Sequence, residues 1–243
     1  MRLLTKTDTL LECLNNDGVI LFPATLGYGL VASSEKAIKK IYDLKRRPYS
    51  KPSGIAVTER LFERFCGSEH KNLPALIPYP IGIVDRYNQD LDILKKASSF
   101  LKNDDTIAFF LNISETINEL AEACYLEGKV LMITSANEAN SGNNFDINHV
   151  PRIILENVDH IEVGEADHFY KKRAKFEKIT NTILDLTKGE ILRAGVYANE
   201  IAHKAFELGI LKDNHRACQK TKYQVLYCSF YPTKRKVLII SIT

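Results

Sequence analysis

The stretch GVILFPATLGYGL, residues 18–30, decides the fold. Val19–Phe22 is an unbroken apolar run of the kind carried by a strand buried on both faces. It is expected to end at Pro23, which has no N–H to give a ladder. A loop holding Gly27, Tyr28 and Gly29 should follow, and Gly29-Leu30-Val31-Ala32 reads as a returning strand. Behind Ser34, a good N-cap residue, Ile38, Ile41, Tyr42 and Leu44 recur at helical spacing. That helix delivers Lys45, Arg46, Arg47 and Lys51, four cations within seven positions. Such a density beside Pro48 and Pro52 suits a polyanion, since Lys offers a point charge and Arg a fork matched to phosphate oxygens. The same residues would also complement the dipole at a solvated helix end, and the run alone does not separate the two.

The rest of the chain alternates helices and strands. Thr9 and Glu12 have capping-box spacing for a first helix with Leu10, Leu11 and Leu14 inward, closed by Gly18. Ser53–Val57, Thr106–Leu111 and Val130–Thr134 read as strands. Thr58–Phe65 and the stretch from Ser114 to Gly128 read as helices. NLPALIPYPIGIVDRY, residues 72–87, is Pro-rich and is expected to interrupt the pattern. Strands are expected at His160–Val163, Thr182–Leu186 and Glu190–Arg193, the last two joined by a Thr187-Lys188-Gly189 turn, then a helix over Ala198–Leu208. Val130–Thr134 delivers TSANEANSG, residues 134–142, at its carboxyl end, as Val19–Phe22 delivers Pro23–Leu30. Ligands in open α/β sheets bind at such ends, so both loops should face one pocket.

Several functional classes are excluded or weakened. A net charge of +3 is too small to imply nucleic-acid binding, which would need local patches such as residues 45–51 and 171–178. No P-loop and no G-x-S-x-G elbow is present. Gly27-Tyr28-Gly29-Leu30-Val31-Ala32 fits G-x-G-x-x-A, but a strand follows where a dinucleotide fold needs a helix. The five cysteines (13, 66, 124, 218 and 228) form no C-x-x-C, and the six histidines lack ligand spacing, so no protein metal site is expected. Cys13 and Cys124 read as small buried hydrophobes. There is no apolar run of the ~18 residues a spanning helix needs and no signal-peptide core, which predicts a cytoplasmic protein with no membrane partner. YQVLYCSFY and VLIISI, around PTKRK in the last 35 residues, have the pattern of a β-hairpin that docks on the main domain.

Three motifs, in this order, resemble the YrdC family, the threonylcarbamoyl-AMP synthases that begin tRNA N6-threonylcarbamoyladenosine formation. They are Pro23-Ala24-Thr25-Leu26-Gly27-Tyr28-Gly29-Leu30, then Lys45-Arg46-Arg47-Pro48-Tyr49-Ser50-Lys51-Pro52, then Ser135-Ala136-Asn137 with Ser141-Gly142. NTILDLTKGEILRAG, residues 181–195, is a weaker fourth match. The resemblance implies an α/β fold, a twisted open mixed sheet with flanking helices and a central cavity over residues 1–208, with 209–243 as a small C-terminal extension. It implies that threonine and bicarbonate form N-carboxy-threonine, which attacks ATP to give threonylcarbamoyl-AMP and pyrophosphate, with Mg²⁺ accompanying the nucleotide. Lys45, Arg47, Ser135 and Asn137 would surround ATP. Thr25 and Tyr28 would form threonine and nucleotide walls, Lys51 and Thr134 would bind nucleotide or substrate, and Thr182 and Arg193 would stand at the rim. A basic cavity of this kind could also touch RNA. Two positions depart from the family: Ala24 replaces a Thr, and Phe110 stands where the family has an Arg, a cation that Arg173 would have to replace. Two other readings therefore stay open, a protein that makes a different carbamoyl adenylate and a non-catalytic RNA-binding module.

Overall fold

In Thr106–Leu111 the residues Ile107, Phe109 and Leu111 are buried, whereas Thr106, Ala108 and Phe110 are half-buried. One face of this strand therefore meets the core and the other an open space. The computed structural model describes residues 5–138, 142–162, 164 and 180–211. Their strands are β1 (Ile20–Ala24), β2 (Gly27–Ala32), β3 (Gly54–Ala56), β4 (Ile81–Arg86), β5 (Lys102–Asn103), β6 (Thr106–Leu111), β7 (Met132–Ser135), β8 (His160–Ile161), β9 (Thr182–Asp185) and β10 (Glu190–Arg193). The helices are α1 (Lys6–Asn15), α2 (Glu35–Leu44), α3 (Glu59–Phe65), α4 (Leu73–Leu76), α5 (Asp92–Lys95), α6 (Glu115–Leu126), α7 (Arg152–Leu155) and α8 (Ala198–Glu207).

The strands form one mixed sheet in the order β10-β9-β4-β6-β3-β7-β2-β1-β8, with β5 added beside β6. Pairs β1–β8, β3–β6 and β4–β9 are parallel and the others antiparallel. This is the α/β mixed sheet with flanking helices that the sequence led us to expect. Its rear face is a dense core in which Leu30, Ile55, Ile83, Phe109, Met132 and Leu184 are fully buried. Each such side chain contributes about 1.5–3 kcal/mol by leaving water. Phe62 of α3 meets Phe109 edge to face at 5.3 Å. The front face is different. Register places Gly82 opposite Phe110, Gly54 opposite Ala108 and Ile133, and Gly29 opposite Ser135. By the two-residue period these residues share one face, and its glycines and alanine leave room above it.

The β1–β2 hairpin closes through Thr25 and Leu26 between paired Ala24 and Gly27. Gly27 sits at φ +101°, and a Cβ there would meet the Asn144 carbonyl oxygen at 2.6 Å, so only glycine fits. Four strand steps separate β1 from β6. At roughly 20–25° of twist per step the two are nearly perpendicular. The hairpin tip consequently crosses the front face, where the Thr25 N–H donates to the Ile113 carbonyl at 3.2 Å.

Local expectations hold with several corrections. α1 starts one turn earlier than Thr9: Thr5 is its N-cap and exchanges hydrogen bonds with Asp8, a second copy of the same capping spacing. β1 continues through Pro23, because its outer neighbour β8 pairs only with Ile20 and Leu21 and asks nothing of the proline nitrogen. Gly27, Tyr28 and Gly29 belong to β2 and not to a loop. The Pro-rich stretch contains β4, a strand between β9 and β6 that begins just after Pro80. The run 171–178 with Arg173, Ser141, Val163, Cys218, Cys228 and the expected hairpin beyond Leu211 lie outside the described residues.

A Cβ added at Gly54 would stand 2.5 Å from the Ala108 carbonyl oxygen and 2.5 Å from the Phe110 ring. Gly54→Ala should therefore lower stability by about 1–3 kcal/mol, the usual cost of overpacking. Urea unfolding of the variant checks this, and an unchanged midpoint would contradict the packing described.

Candidate functional site

Lys45 caps the C-terminus of α2 and is 1% exposed. Its Nζ donates to the Ser135 carbonyl oxygen, to the Asn137 carbonyl oxygen at 2.7 Å and to Asn137 Oδ1 at 2.9 Å. An ammonium has three N–H groups, and here all three go to neutral oxygens of one loop. Burial, followed by the charges of Arg47 and Lys51, pushes the Lys45 pKa down to about 7. The Asn137 side chain is equally committed. Its Oδ1 also accepts from the Ser135 hydroxyl, and its Nδ2 donates to the Gly142 carbonyl.

The loop reaches this position because β1 and β7 run in the same direction on either side of β2, so their carboxyl ends are close. Two asparagines then stitch it to the hairpin. Asn143 Nδ2 donates to the Leu26 carbonyl at 2.7 Å and Asn144 Nδ2 to the Ala136 carbonyl at 2.8 Å. The Tyr28 N–H donates to the Asn144 carbonyl at 2.6 Å. Neither asparagine stood out in the sequence, where Asn-Asn after Ser-Gly resembles any turn.

The basic segment is a closed strap. Arg47 Nε donates to the Lys51 carbonyl at 2.9 Å, and its Nη2 to the Pro52 carbonyl. The buried Tyr42 hydroxyl is bonded to the same Lys51 oxygen at 2.9 Å and to the Phe100 carbonyl oxygen at 2.8 Å. The Arg47 guanidinium lies 5.5 Å from the Tyr42 ring centre. Burial pushes the Tyr42 phenol pKa up, which keeps it a neutral donor. Tyr42 thus builds the strap, although its helical spacing marked it only as a core residue.

Between strap, loop, hairpin and the front of the sheet lies a cavity of about 840 Å³. Lys45, Arg47, Lys51, Ser135, Asn137, Thr25, Tyr28, Thr134 and Arg193 all line it, as do Ala24 and Phe110. The Thr25 hydroxyl donates to the Ile113 carbonyl, and the Tyr28 hydroxyl to the Gly164 carbonyl at 2.7 Å. Thr182 does not join them. It is fully buried, its hydroxyl donating to the Val196 carbonyl at 2.7 Å and accepting from the Gly195 N–H at 2.9 Å. Arg193 reaches the cavity from β10, with its Nε on the Asn181 carbonyl at 2.9 Å. Arg193 keeps an exposed surface, yet partial desolvation by the surrounding protein and then the neighbouring Arg47 charge lower its pKa, as Arg47 and Lys51 lower that of Lys45. Lys45 and Arg193 thus hold their charge at a cost set partly by their cationic neighbours, a cost that an anion placed among them would offset.

The depressed Lys45 pKa has a sign that can be checked. An unfolded lysine keeps its proton to about 10.4, whereas the folded Lys45 releases it near 7. The unfolded chain binds more protons in that window, so this group makes stability rise as pH rises from 7 towards 10. Lys45→Met should abolish the rise, worth on the order of several kcal/mol. Thermal unfolding of both proteins across pH 6–10 measures it, and a wild-type-minus-variant difference that stays flat would refute the assignment.

Comparison with known proteins agrees with this architecture. The Sua5/YciO/YrdC family model, described as "Telomere recombination", matches residues 12–195. A protein of Methanocaldococcus jannaschii named "Putative threonylcarbamoyl-AMP synthase" is 28% identical over 189 residues, covering 74% of this chain and 83% of the relative. The crystal structure of a hypothetical protein from Streptococcus mutans UA159 superposes with a TM-score of 0.68 at 14% identity, over 84% of this chain and 91% of that one. P. abyssi Sua5 complexed with L-threonine superposes with a TM-score of 0.63 at 23% identity, over 82% of this chain and 57% of that one. With a match running through the hairpin, the strap, the Ser135–Asn137 loop and β10, this chain belongs to the Sua5/YciO/YrdC family.

Proposed function

We propose that the protein is an L-threonylcarbamoyladenylate synthase, a nucleotidyltransferase that uses threonine, bicarbonate and ATP in the first step of tRNA N6-threonylcarbamoyladenosine formation. The observation that carries this reading is the cation-lined cavity built around the Lys45–Ser135–Asn137 contact. The relative named as a threonylcarbamoyl-AMP synthase and the likeness to a Sua5 structure holding L-threonine support it.

In this reading the carboxylate of N-carboxy-threonine attacks the α-phosphorus of ATP. The bond from that phosphorus to the β-phosphate oxygen breaks, and pyrophosphate carries away the electron pair. Such a reaction needs positioning and charge neutralisation more than covalent help. Arg47 spends two of its five N–H groups on the strap and Arg193 one on Asn181, which leaves both with donors for phosphate oxygens. Lys51 adds charge at the same wall. Lys45, whose donors are all taken, contributes its field and holds Ser135 and Asn137 in place. Among the described residues no three His, Cys, Asp or Glu side chains gather into a metal centre. In this reading Mg²⁺ arrives on the nucleotide phosphates. No helix among the described residues is long and apolar enough to cross a membrane, and we assign the reaction to the cytoplasm.

Pyrophosphate release from ATP should require both threonine and bicarbonate. Release that ignores threonine would favour another carbamoyl adenylate, and the absence of ATP binding, with RNA affinity falling steeply in salt, would favour the RNA module. Arg47→Ala and Arg193→Ala should each weaken ATP by roughly 1–3 kcal/mol in calorimetric titration, the range of a charge-assisted hydrogen bond. Ser135→Ala and Asn137→Ala should lower kcat more than they weaken ATP, because short neutral groups align a nucleophile better than they hold phosphates. ATP affinity lost in step with kcat would contradict that division of roles.

A further inference from the structure

Phe110 has no part in the chemistry proposed above, yet the sheet is shaped around it. Gly82 lies directly opposite it on β4, and Gly54 lies on β3 two residues before its partner Ala56. A Cβ on Gly54 would stand 2.5 Å from the ring, and one on Gly82 would stand 2.8 Å from it. The ring therefore occupies the space that side chains on both flanking strands would fill. It is half-buried, packs against the core and lines the cavity. Its register partners are Gly82 and Ala56, and the next front-face residues along β6 and β4 are Ala108 and Val84, both apolar. The cations Arg47 and Arg193 line the same cavity from the strap and from β10.

Resting on the adenylation reading, we propose that Phe110, bedded on Gly54 and Gly82, is the platform of a subsite for a flat, uncharged ring of the ligand. An aromatic face in an apolar setting favours another ring by stacking and dispersion. A carboxylate or phosphate would find no donor among Ala108, Val84 and the ring, and would be stranded without its hydration. A ligand with an anionic end at Arg47 and Arg193 and a ring over Phe110 satisfies both parts of the cavity. The ring can come from two sources: the base of the nucleotide, or an aromatic side chain on the amine that is carboxylated.

The test compares wild type, Phe110→Tyr and Phe110→Leu. Tyr keeps the platform, whereas Leu keeps apolar volume without a ring, and thermal unfolding confirms that each variant is folded. ATP and inorganic triphosphate are titrated into each protein, and pyrophosphate release is measured with threonine or phenylalanine as the amine. Phe110→Tyr should behave as wild type. If the base is the ring, Phe110→Leu binds ATP about ten-fold more weakly, as expected for loss of one stacked base, and binds triphosphate as before. If the amine supplies it, ATP affinity is unchanged, wild type prefers phenylalanine to threonine, and that preference falls about ten-fold in Phe110→Leu. A folded Phe110→Leu with wild-type ATP affinity and amine preference overturns the platform and leaves the adenylation reading standing. A wild-type protein that binds neither ATP nor triphosphate overturns both.

Discussion

A buried ammonium that finds only neutral oxygens is the constraint on which the site depends. Lys45 gives its three donors to oxygens of Ser135 and Asn137, 90 and 92 residues away in the sequence. Removing a charge from water costs several kcal/mol unless it is well partnered. The arrangement tolerates this because the carbonyls converge on Nζ and because the proton is held weakly. A carboxylate in the same place would have satisfied Lys45 better and cancelled the positive field of the cavity. Neutral partners keep that field available to an anion.

The second constraint is the register of the sheet. One face carries large aliphatic and aromatic side chains packed to the density of a solid. On the other, Gly29, Gly54, Gly82 and Ala108 hold the floor down. A slip of one residue in β3 or β6 would exchange the two faces, filling the cavity and emptying the core. Cavity and stability are therefore set by one alternation and cannot be tuned separately along those strands.

The elements that could be read from the chain were those whose local signals agree. Glu35–Leu44 has a capping serine and a clean apolar stripe, and Thr106–Leu111 is a short apolar run of strand length, so both ran where expected. β4 was hidden because Pro74, Pro78 and Pro80 crowd its start and because Asp85, a buried acid among apolar neighbours, looks like a surface residue. Its partners, the Ser68 hydroxyl and the Cys66 thiol at 3.0 Å, come from a distant segment and leave no local trace. The cation cluster was visible as charge. What each cation touches was not: Lys45 looked like a phosphate ligand because a sequence shows the ammonium and not the carbonyls around it. Thr182 shows the same limit, since a threonine hydroxyl tied to the Val196 carbonyl and the Gly195 N–H and one facing a ligand read alike in a sequence.

The strand order also governs how the molecule comes into being. β1 lies beside β8, and the Val19 N–H is held by the Asp159 carboxylate 140 residues away. Lys45 and Asn137 are separated by 92 residues, and the hairpin tip meets Ile113 across 88. A ribosome that has released only the first half of the chain has delivered the hairpin and the strap but none of the oxygens that hold Lys45. Such non-local closure is slow, and it leaves apolar strands without neighbours while it waits. During synthesis the cation cluster therefore precedes the cavity it will line.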